Sequence, residues 1–346
     1  MKTIYFIREK TSHHGGAETY LFRLSDSLVK TDIEFKTIHS VIPSFLPSWL
    51  RLILFNLHLI LIKRDKLYFS LERIVCPDIY RAGDGVHKVF LEIENKSKIN
   101  PLHKVLLFIE KKCFNNSKVI IANSIMVKND IIKAYDIDPN KIEIIYNGFK
   151  PKENQSYERS FSKLSKEFNI KPNQSIILYV GSGYKRKGVF ELLQILSKLN
   201  NKNFVAFVIG KEKRYKYYKK IVNFFSLEGK VNIIGIRKDV SDFYIASDIF
   251  ILPSHYEPFG NVVLEAMCYG NVVFTTNQTG ASELLDKDFV MSDSKDFSVV
   301  KKIDNLLINP TIMREIKQRN LKISKNYSIE INRDKTLKVL NQYFND

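Results

Sequence analysis

Twice along this 346-residue chain, short apolar runs alternate with longer amphipathic ones, and a polar stretch without periodicity separates the two series. In the first half, residues 3–7, 38–42, 119–122 and 142–146 read as strands. Residues 18–30 read as a helix with Leu21, Leu24 and Leu28 on one face. In the second half, strands are predicted at 176–180, 204–209, 231–234, 248–252 and 272–275. Such alternation predicts an α/β fold of parallel sheets covered by helices, formed here twice. The polar segment 150–159 (KPKENQSYER) is the expected linker. This gives a first domain over 1–155 and a second over 156–327, with a last helix in 328–346 packing back on the first. In sheets of this kind ligands lie outside the carboxyl ends of the strands.

Composition narrows the classes of function. Hydrophobic residues make up 45% and charged residues 26%, as in a soluble globular protein. Cys76, Cys113 and Cys268 are far apart and form no CxxC pair. They imply a reducing compartment and neither a disulfide framework nor a structural zinc site. The N-terminus enters a strand without a signal-peptide pattern, so a cytoplasmic location is expected. The net charge of +17 suits nucleic acid or an anionic membrane surface, and equally follows from a composition rich in Lys, Asn and Ile. No nucleic-acid module is present, which removes nucleic acid as a partner. Two apolar stretches with basic flanks, 45–62 and 102–114, favour the membrane surface. The first is interrupted by Pro47, Arg51, Asn56 and His58, and a span needs about 20 predominantly apolar residues. Much of it is expected to be a buried core helix, with docking at a membrane interface as the alternative.

Chemistry concentrates in residues 253–270, PSHYEPFGNVVLEAMCYG. A strand ends at Pro253, and a polar turn opens into a helix predicted to begin near Phe259–Gly260. The amino end of a helix with glycine at its mouth favours a phosphate or diphosphate. Glu257 stands just outside that mouth and Glu265 about two helical turns further on. Carboxylates framing a phosphate site suit a ligand with hydroxyls at both ends, as in a sugar nucleotide. On a plain helix, Glu257 would be a cap and Glu265 a surface residue. The segment as a whole resembles the E-x7-E signature of retaining glycosyltransferases of family 4, usually written EGFG before LEAMA-x-G. Pro258 stands here where a glycine is usual.

Two further loops extend the resemblance. HHGGAETYL, with Gly15 and Gly16, resembles the family's first glycine-rich loop, whose backbone approaches the donor diphosphate. GSGYKRKG, residues 181–188, fails the dinucleotide pattern G-x-G-x-x-G, because Arg186 holds the third glycine's place and no acidic residue follows near 200. It ends instead in Arg186 and Lys187, two cations suited to a diphosphate, though a solvated basic loop would read the same way. The family's early arginine is replaced by Ser182, and its later lysine is matched by Lys187. The loop is most similar to that of bacterial lipopolysaccharide core glucosyltransferases. YRAGDGVH resembles those enzymes' aspartate-bearing segment, near the transferred sugar and acceptor. Asp84 is therefore the favoured residue and His87 the alternative, while Asp-Gly also suits a plain turn. The pairs Asp136/Asp138 and Asp286/Asp288 lie in polar connections away from these loops, and no metal is expected.

The resemblance implies a GT-B fold with two Rossmann-like domains facing a cleft, and a retaining, metal-independent hexosyltransferase without cofactor. Lys187, Arg186 and the N–H groups of Phe259, Gly260 and Asn261 would hold the diphosphate of a nucleotide sugar, with UDP favoured. Glu265 would accept from the ribose, the backbone at Ile236 and Arg237 would hold the base, and Glu257 would face the sugar. The implied acceptor is a lipid-anchored oligosaccharide such as the lipopolysaccharide core, reached from the inner face of the cytoplasmic membrane. A soluble or capsular glycan acceptor, a nucleotide-sugar epimerase and a non-catalytic scaffold are the alternatives.

Overall fold

Strand Thr3–Arg8 (β1) buries Ile4, Phe6 and Ile7 and takes a parallel neighbour on each side. Glu34–His39 (β2) pairs with one edge and Leu67–Ser70 (β3) with the other. Ile79–Ala82 (β4), Val119–Ala122 (β5) and Ile142–Ile144 (β6) complete a parallel sheet of order β2-β1-β3-β4-β5-β6. Every residue of β4 and β5 is buried, as expected of strands covered on both faces. Helices Ser48–Lys63 (α1), His87–Ile93 (α2), Pro101–Asn116 (α3) and Ile125–Tyr135 (α4) lie between these strands in sequence. The computed structural model describes residues 3–9, 20–21, 24–25, 34–95, 100–152 and 155–344.

The second sheet is built from Ser175–Val180 (β7), Phe204–Ile209 (β8), Val231–Gly235 (β9), Ile249–Leu252 (β10), Val272–Thr276 (β11) and Val290–Met291 (β12). Its order is β12-β11-β10-β7-β8-β9, again parallel throughout. Helices Tyr157–Phe168 (α5), Val189–Lys198 (α6), Tyr215–Phe224 (α7), Val240–Ala246 (α8), Asn261–Cys268 (α9), Val299–Ile308 (α10) and Pro310–Ser324 (α11) accompany it. A last helix, Ile329–Phe344 (α12), closes the chain.

Two compact units result: residues 1–147 with 329–346, and residues 148–328. Residues 148–155, expected with the first domain, sort with the second. The Phe149 N–H donates to Tyr327 O at 3.0 Å, the Phe149 ring meets Tyr269 at 5.9 Å, and the Lys152 N–H donates to the Tyr269 hydroxyl. Nor is the whole of 150–159 a linker. Ser156 caps α5 by accepting from the Arg159 N–H at 3.3 Å, so 157–159 form its first turn.

The strand expected at 38–42 lies at 34–39 instead. The Ser40 N–H still donates to Glu9 O at 3.1 Å, one residue past the last pair with β1, and the Ser40 hydroxyl accepts from the Ile42 N–H in the bend that follows. At the sheet edge β2 tolerates Glu34 and Lys36, whose charges masked the strand. Strands β3, β4 and β12 are too short to show a period. Helix α1 departs from the expected buried helix, since only Phe55, Asn56 and Leu59 are buried while Leu57, Ile60 and Leu61 are exposed. It is apolar around most of its circumference, and the core covers only one side.

The core of the first unit joins Ile4, Phe6, Phe69, Ile79 and Ile121 to Val339 and Leu340 of α12. Leu340 is fully buried, so Leu340→Ala should cost about 2–5 kcal/mol. By hydrogen exchange, amide protection in β1 and β5 should fall while that in β8 stays. Unchanged β1 protection, or equal loss in both sheets, would contradict this packing.

Candidate functional site

In the second sheet, β7 has β8 and β9 on one side and β10, β11 and β12 on the other. The strand order therefore reverses between β7 and β10. Connections at such a point leave toward opposite faces and open a crevice at the carboxyl ends. Loop 181–188 leaves β7 there and loop 253–260 leaves β10. The two touch backbone to backbone: the His255 N–H donates to Arg186 O at 2.9 Å. Gly188 has φ +75°, and a Cβ at this position would lie 1.8 Å from Pro253 O. Only glycine permits that approach.

This contact brings Arg186 and Lys187 onto one carboxylate. Arg186 Nη1 lies 2.9 Å from Glu257 Oε2, and Lys187 Nζ lies 3.1 Å from the same oxygen. Arg186 also donates to Tyr256 O at 2.6 Å. The side chains are largely shielded, with 31% of Arg186, 13% of Lys187 and 15% of Glu257 exposed. Burial pushes the Glu257 carboxyl up, but Lys187 and Arg186 outweigh it and hold it below its ordinary value. Its contribution to stability is present above the unfolded carboxylate value and is lost as pH falls through the lowered folded one. With two cations on one anion, the cluster keeps a surplus positive charge.

A second loop fixes the backbone of Glu257. Its N–H donates to Gln278 O and its carbonyl accepts from the Gly280 N–H, both at 2.9 Å. Behind it, the buried hydroxyls of Ser254, Thr275 and Thr279 are linked at 2.6 and 2.9 Å. Gly260, with φ +85°, caps α9, and a Cβ on it would stand 3.2 Å from Glu257 Cγ and 2.8 Å from Thr279 Cγ2. The amino end of α9, with Phe259 and Asn261 flanking Gly260, is thus adjacent to Glu257.

The helix begins at Asn261, so Glu265 lies just over one turn into α9, closer than the two turns expected. Glu265 sits near Tyr244. Burial first, then the Glu265 carboxylate, hold that phenol well above its ordinary value. Tyr244 stacks on Tyr269 at 5.6 Å and 11°. Ile236 is exposed and follows β9, two strands from β7 and so about 10 Å away along the sheet edge. The Arg237 side chain is committed to Glu167 at 2.6 and 2.9 Å and to Asp239.

In the first sheet the order reverses between β1 and β3, and Arg8 at the end of β1 pairs with Glu72 just past β3 at 2.5 Å. Asp84 lies after β4, the next strand over, and is exposed. Its loop is braced on several sides. Asn123 donates to Gly83 O at 3.0 Å, Arg73 donates to Gly85 O at 2.8 Å, and Arg81 reaches Asn147 Oδ1. The His87 N–H donates to the fully buried Glu110 at 2.6 Å, while its ring meets His103 at 3.2 Å and lies against Phe90. Gly15 and Gly16 lie outside the described residues.

Sequence reasoning passed over two groups. Glu72 is pushed up to about 7 by burial, against the opposing Arg8 and with Asp84 and Glu9 adding to the rise. Its place at the end of β3 was the available signal, but β3 itself was not recognised. His255 joins Glu191 at 3.1 Å and Ser294 at 3.3 Å, beneath the Arg186 loop. Among the described residues, no three His, Cys, Asp or Glu side chains converge as a metal site would require. Asp286 caps a turn and pairs with Arg319.

The model of the family described as Glycosyl transferases group 1 matches residues 160–323, and that of Glycosyltransferase Family 4 matches 84–153. The lipopolysaccharide glucosyltransferase WaaG of Escherichia coli K12 is 30% identical over 59% of this chain and 56% of its own length. The capsular polysaccharide biosynthesis glycosyltransferase CapM of Staphylococcus aureus is 30% identical over 61% and 57%. The chain spans about half the length of the curated relatives it matches. A crystal structure of WaaG aligns at TM-score 0.79 and 18% identity, covering 97% of this chain and 99% of that one. Anabaena HepE in complex with UDP and glucose aligns at 0.75 and 18%, covering 99% and 100%. At these identities the two structures share the fold.

The loop contact at Gly188 has a measurable consequence. Gly229 also has positive φ but meets nothing within 4 Å. Gly229→Ala should cost only the left-handed backbone term, about 1–2 kcal/mol. Gly188→Ala should lose about 1–3 kcal/mol more, because the Pro253 carbonyl must move. Equal urea midpoints for the two variants would remove the close contact between the loops.

Proposed function

The chain belongs to the GT-B glycosyltransferases of family 4, and on that premise we propose that it transfers a hexose from a nucleotide-diphosphate sugar to a lipid-linked glycan. The observation that carries the reading is the shared carboxylate, Glu257, held by Arg186 and Lys187 beside the amino end of α9. The surplus positive charge of this cluster, together with the helix dipole, takes the diphosphate and stabilises it as it departs. No divalent cation is part of this reading. Glu257 stays ionised and faces the sugar as positive charge develops on the anomeric carbon. Glu265 accepts from the ribose hydroxyls, and the backbone at Ile236 and Arg237 flanks the base. Transfer retains the anomeric configuration, and Asp84 serves the acceptor side. The ligand named for HepE supports UDP as the nucleotide, and the name of WaaG supports a lipopolysaccharide-type acceptor. The likeness to CapM favours a second reading, with a capsular glycan as acceptor.

Lys187→Ala should lower turnover by about 100-fold, the usual loss for one electrostatic partner of a departing charge. Glu265→Gln should mainly raise KM for the donor, because ribose contacts are alike in ground and transition states. Glu257→Gln should mainly lower kcat. Steady-state kinetics of donor hydrolysis without acceptor read all three, and free sugar of retained configuration is expected. An isomerised nucleotide sugar would indicate an epimerase, and near-normal kinetics in Lys187→Ala would remove Lys187 from the mechanism.

The acceptor reading assigns the chain to the inner face of the cytoplasmic membrane, held peripherally. Among the described residues no helix is long and apolar enough to cross a membrane. Lys104, Lys111 and Lys112 are exposed along α3, and each is worth about 1 kcal/mol at an anionic surface. Vesicle binding should require anionic lipid and weaken as salt shortens the Debye length from about 8 Å. Binding indifferent to lipid charge would contradict the peripheral reading.

A further inference from the structure

Helices α1 and α3 pack together in the first unit and leave a cavity of about 450 Å³ open on one side. That volume lies within the range of small-molecule pockets. The lining comes from Ile53, Leu57 and Ile60 of α1, Val105 and Phe108 of α3, and Val75 between them. Asn56 also borders the cavity, but its polar atoms are already used: Nδ2 donates to Leu52 O at 2.8 Å, and Oδ1 accepts from the Val75 N–H at 2.7 Å. A polar ligand would lose water there and gain nothing. The side chain at the mouth is the exposed Lys104, and Phe108, Lys111 and Lys112 continue along the same face of α3 at spacings of four, seven and eight.

An apolar interior with one cation, Lys104, at its mouth is complementary to a hydrocarbon chain that ends in an anionic group. We propose that this cavity seats one alkyl chain of an anionic amphiphile, with the headgroup at Lys104. The seat belongs to the first unit and the Arg186–Glu257 cluster to the second, and binding here does not depend on the transfer reaction. It also differs from adsorption to a bilayer, because a cavity of fixed volume fills.

Trp49 is the only tryptophan of the chain and sits one turn before Ile53 on the same face of α1, which makes it a reporter. The probes are octyl, decyl, dodecyl and tetradecyl phosphates, each kept below its micelle concentration, titrated without nucleotide sugar. Binding of one probe per chain is expected, tightening about fourfold per added methylene and levelling once the cavity is filled. Dodecanol should bind at least tenfold more weakly than dodecyl phosphate, and Lys104→Gln should remove most of that difference. Leu57→Gln and Phe108→Ser alter side chains that are 51% and 62% exposed, so the fold should persist, as circular dichroism would verify. Both should weaken dodecyl phosphate binding at least tenfold. No saturable binding, tightening that never levels, or variants that bind as well as the parent would overturn the proposal. So would a Trp49 signal that follows protein concentration rather than probe, since a second copy would then cover this face.

Discussion

Every strand pairing in both sheets is parallel, and this constrains nearly everything else in the molecule. Parallel neighbours cannot be joined by a tight hairpin, so each connection must cross the sheet, usually through a helix. Helices then cover the faces, and the strands become fully apolar, as β5 and β8 are. All loops that follow strands collect at one edge. Where the order reverses, between β7 and β10, two loops distant in sequence emerge side by side. Arg186 and Glu257 are 71 positions apart, yet the register Ile249↔Ile177 and Phe250↔Leu178 brings their loops together.

What the loops do with that proximity depends on charge balance. A carboxylate as shielded as Glu257 is costly without partners, and a single cation would leave a neutral pair with little pull on an anion. Two cations on the one oxygen keep Glu257 ionised and leave positive charge unspent. The backbone makes the arrangement rigid: Gly188 lies against Pro253, and Glu257 is bonded on both sides to 278–280. The groups are thus ordered before any ligand arrives, which is the condition under which fixed charges contribute most.

Much of the second unit was legible in the sequence, because its strands are long apolar runs bounded by glycine or polar turns. Phe204–Ile209 is wholly buried and reads as such from its letters alone. The first unit was harder. Strands β3 and β4 have four residues each, and β2 mixes Glu34, Lys36 and His39 into an edge that needs only one covered face. The motif segments named Arg186, Lys187 and Glu257 as separate candidates, and spacing along a chain cannot show that the two cations share one oxygen. Glu72 was missed for a related reason: its environment is made by Arg8 and Glu9 at the end of β1 and by Asp84 after β4. A raised carboxyl of this kind is a property of the assembled edge and has no local signature.

The two units carry different kinds of surface. In the second, the charged cluster lies at a strand edge and is buttressed by buried hydroxyls, a fixed polar arrangement. In the first, Phe45, Trp49, Leu57, Ile60 and Leu61 remain exposed within a short stretch, and Phe108 stands near them on α3. Apolar area left in water forgoes about 25 cal/mol per Å², and contiguous patches of this sort mark interaction sites more often than accidents. Helix α1 could present polar residues outward at no cost to the core, since Phe55, Leu59 and the partly buried Ile62 face inward with Asn56. Its outer apolar residues therefore do nothing for the fold that polar ones would not do better. Together with the lysines along α3, they are best explained by a contact that is itself both apolar and anionic. That requirement describes an amphiphile more closely than it describes any soluble glycan.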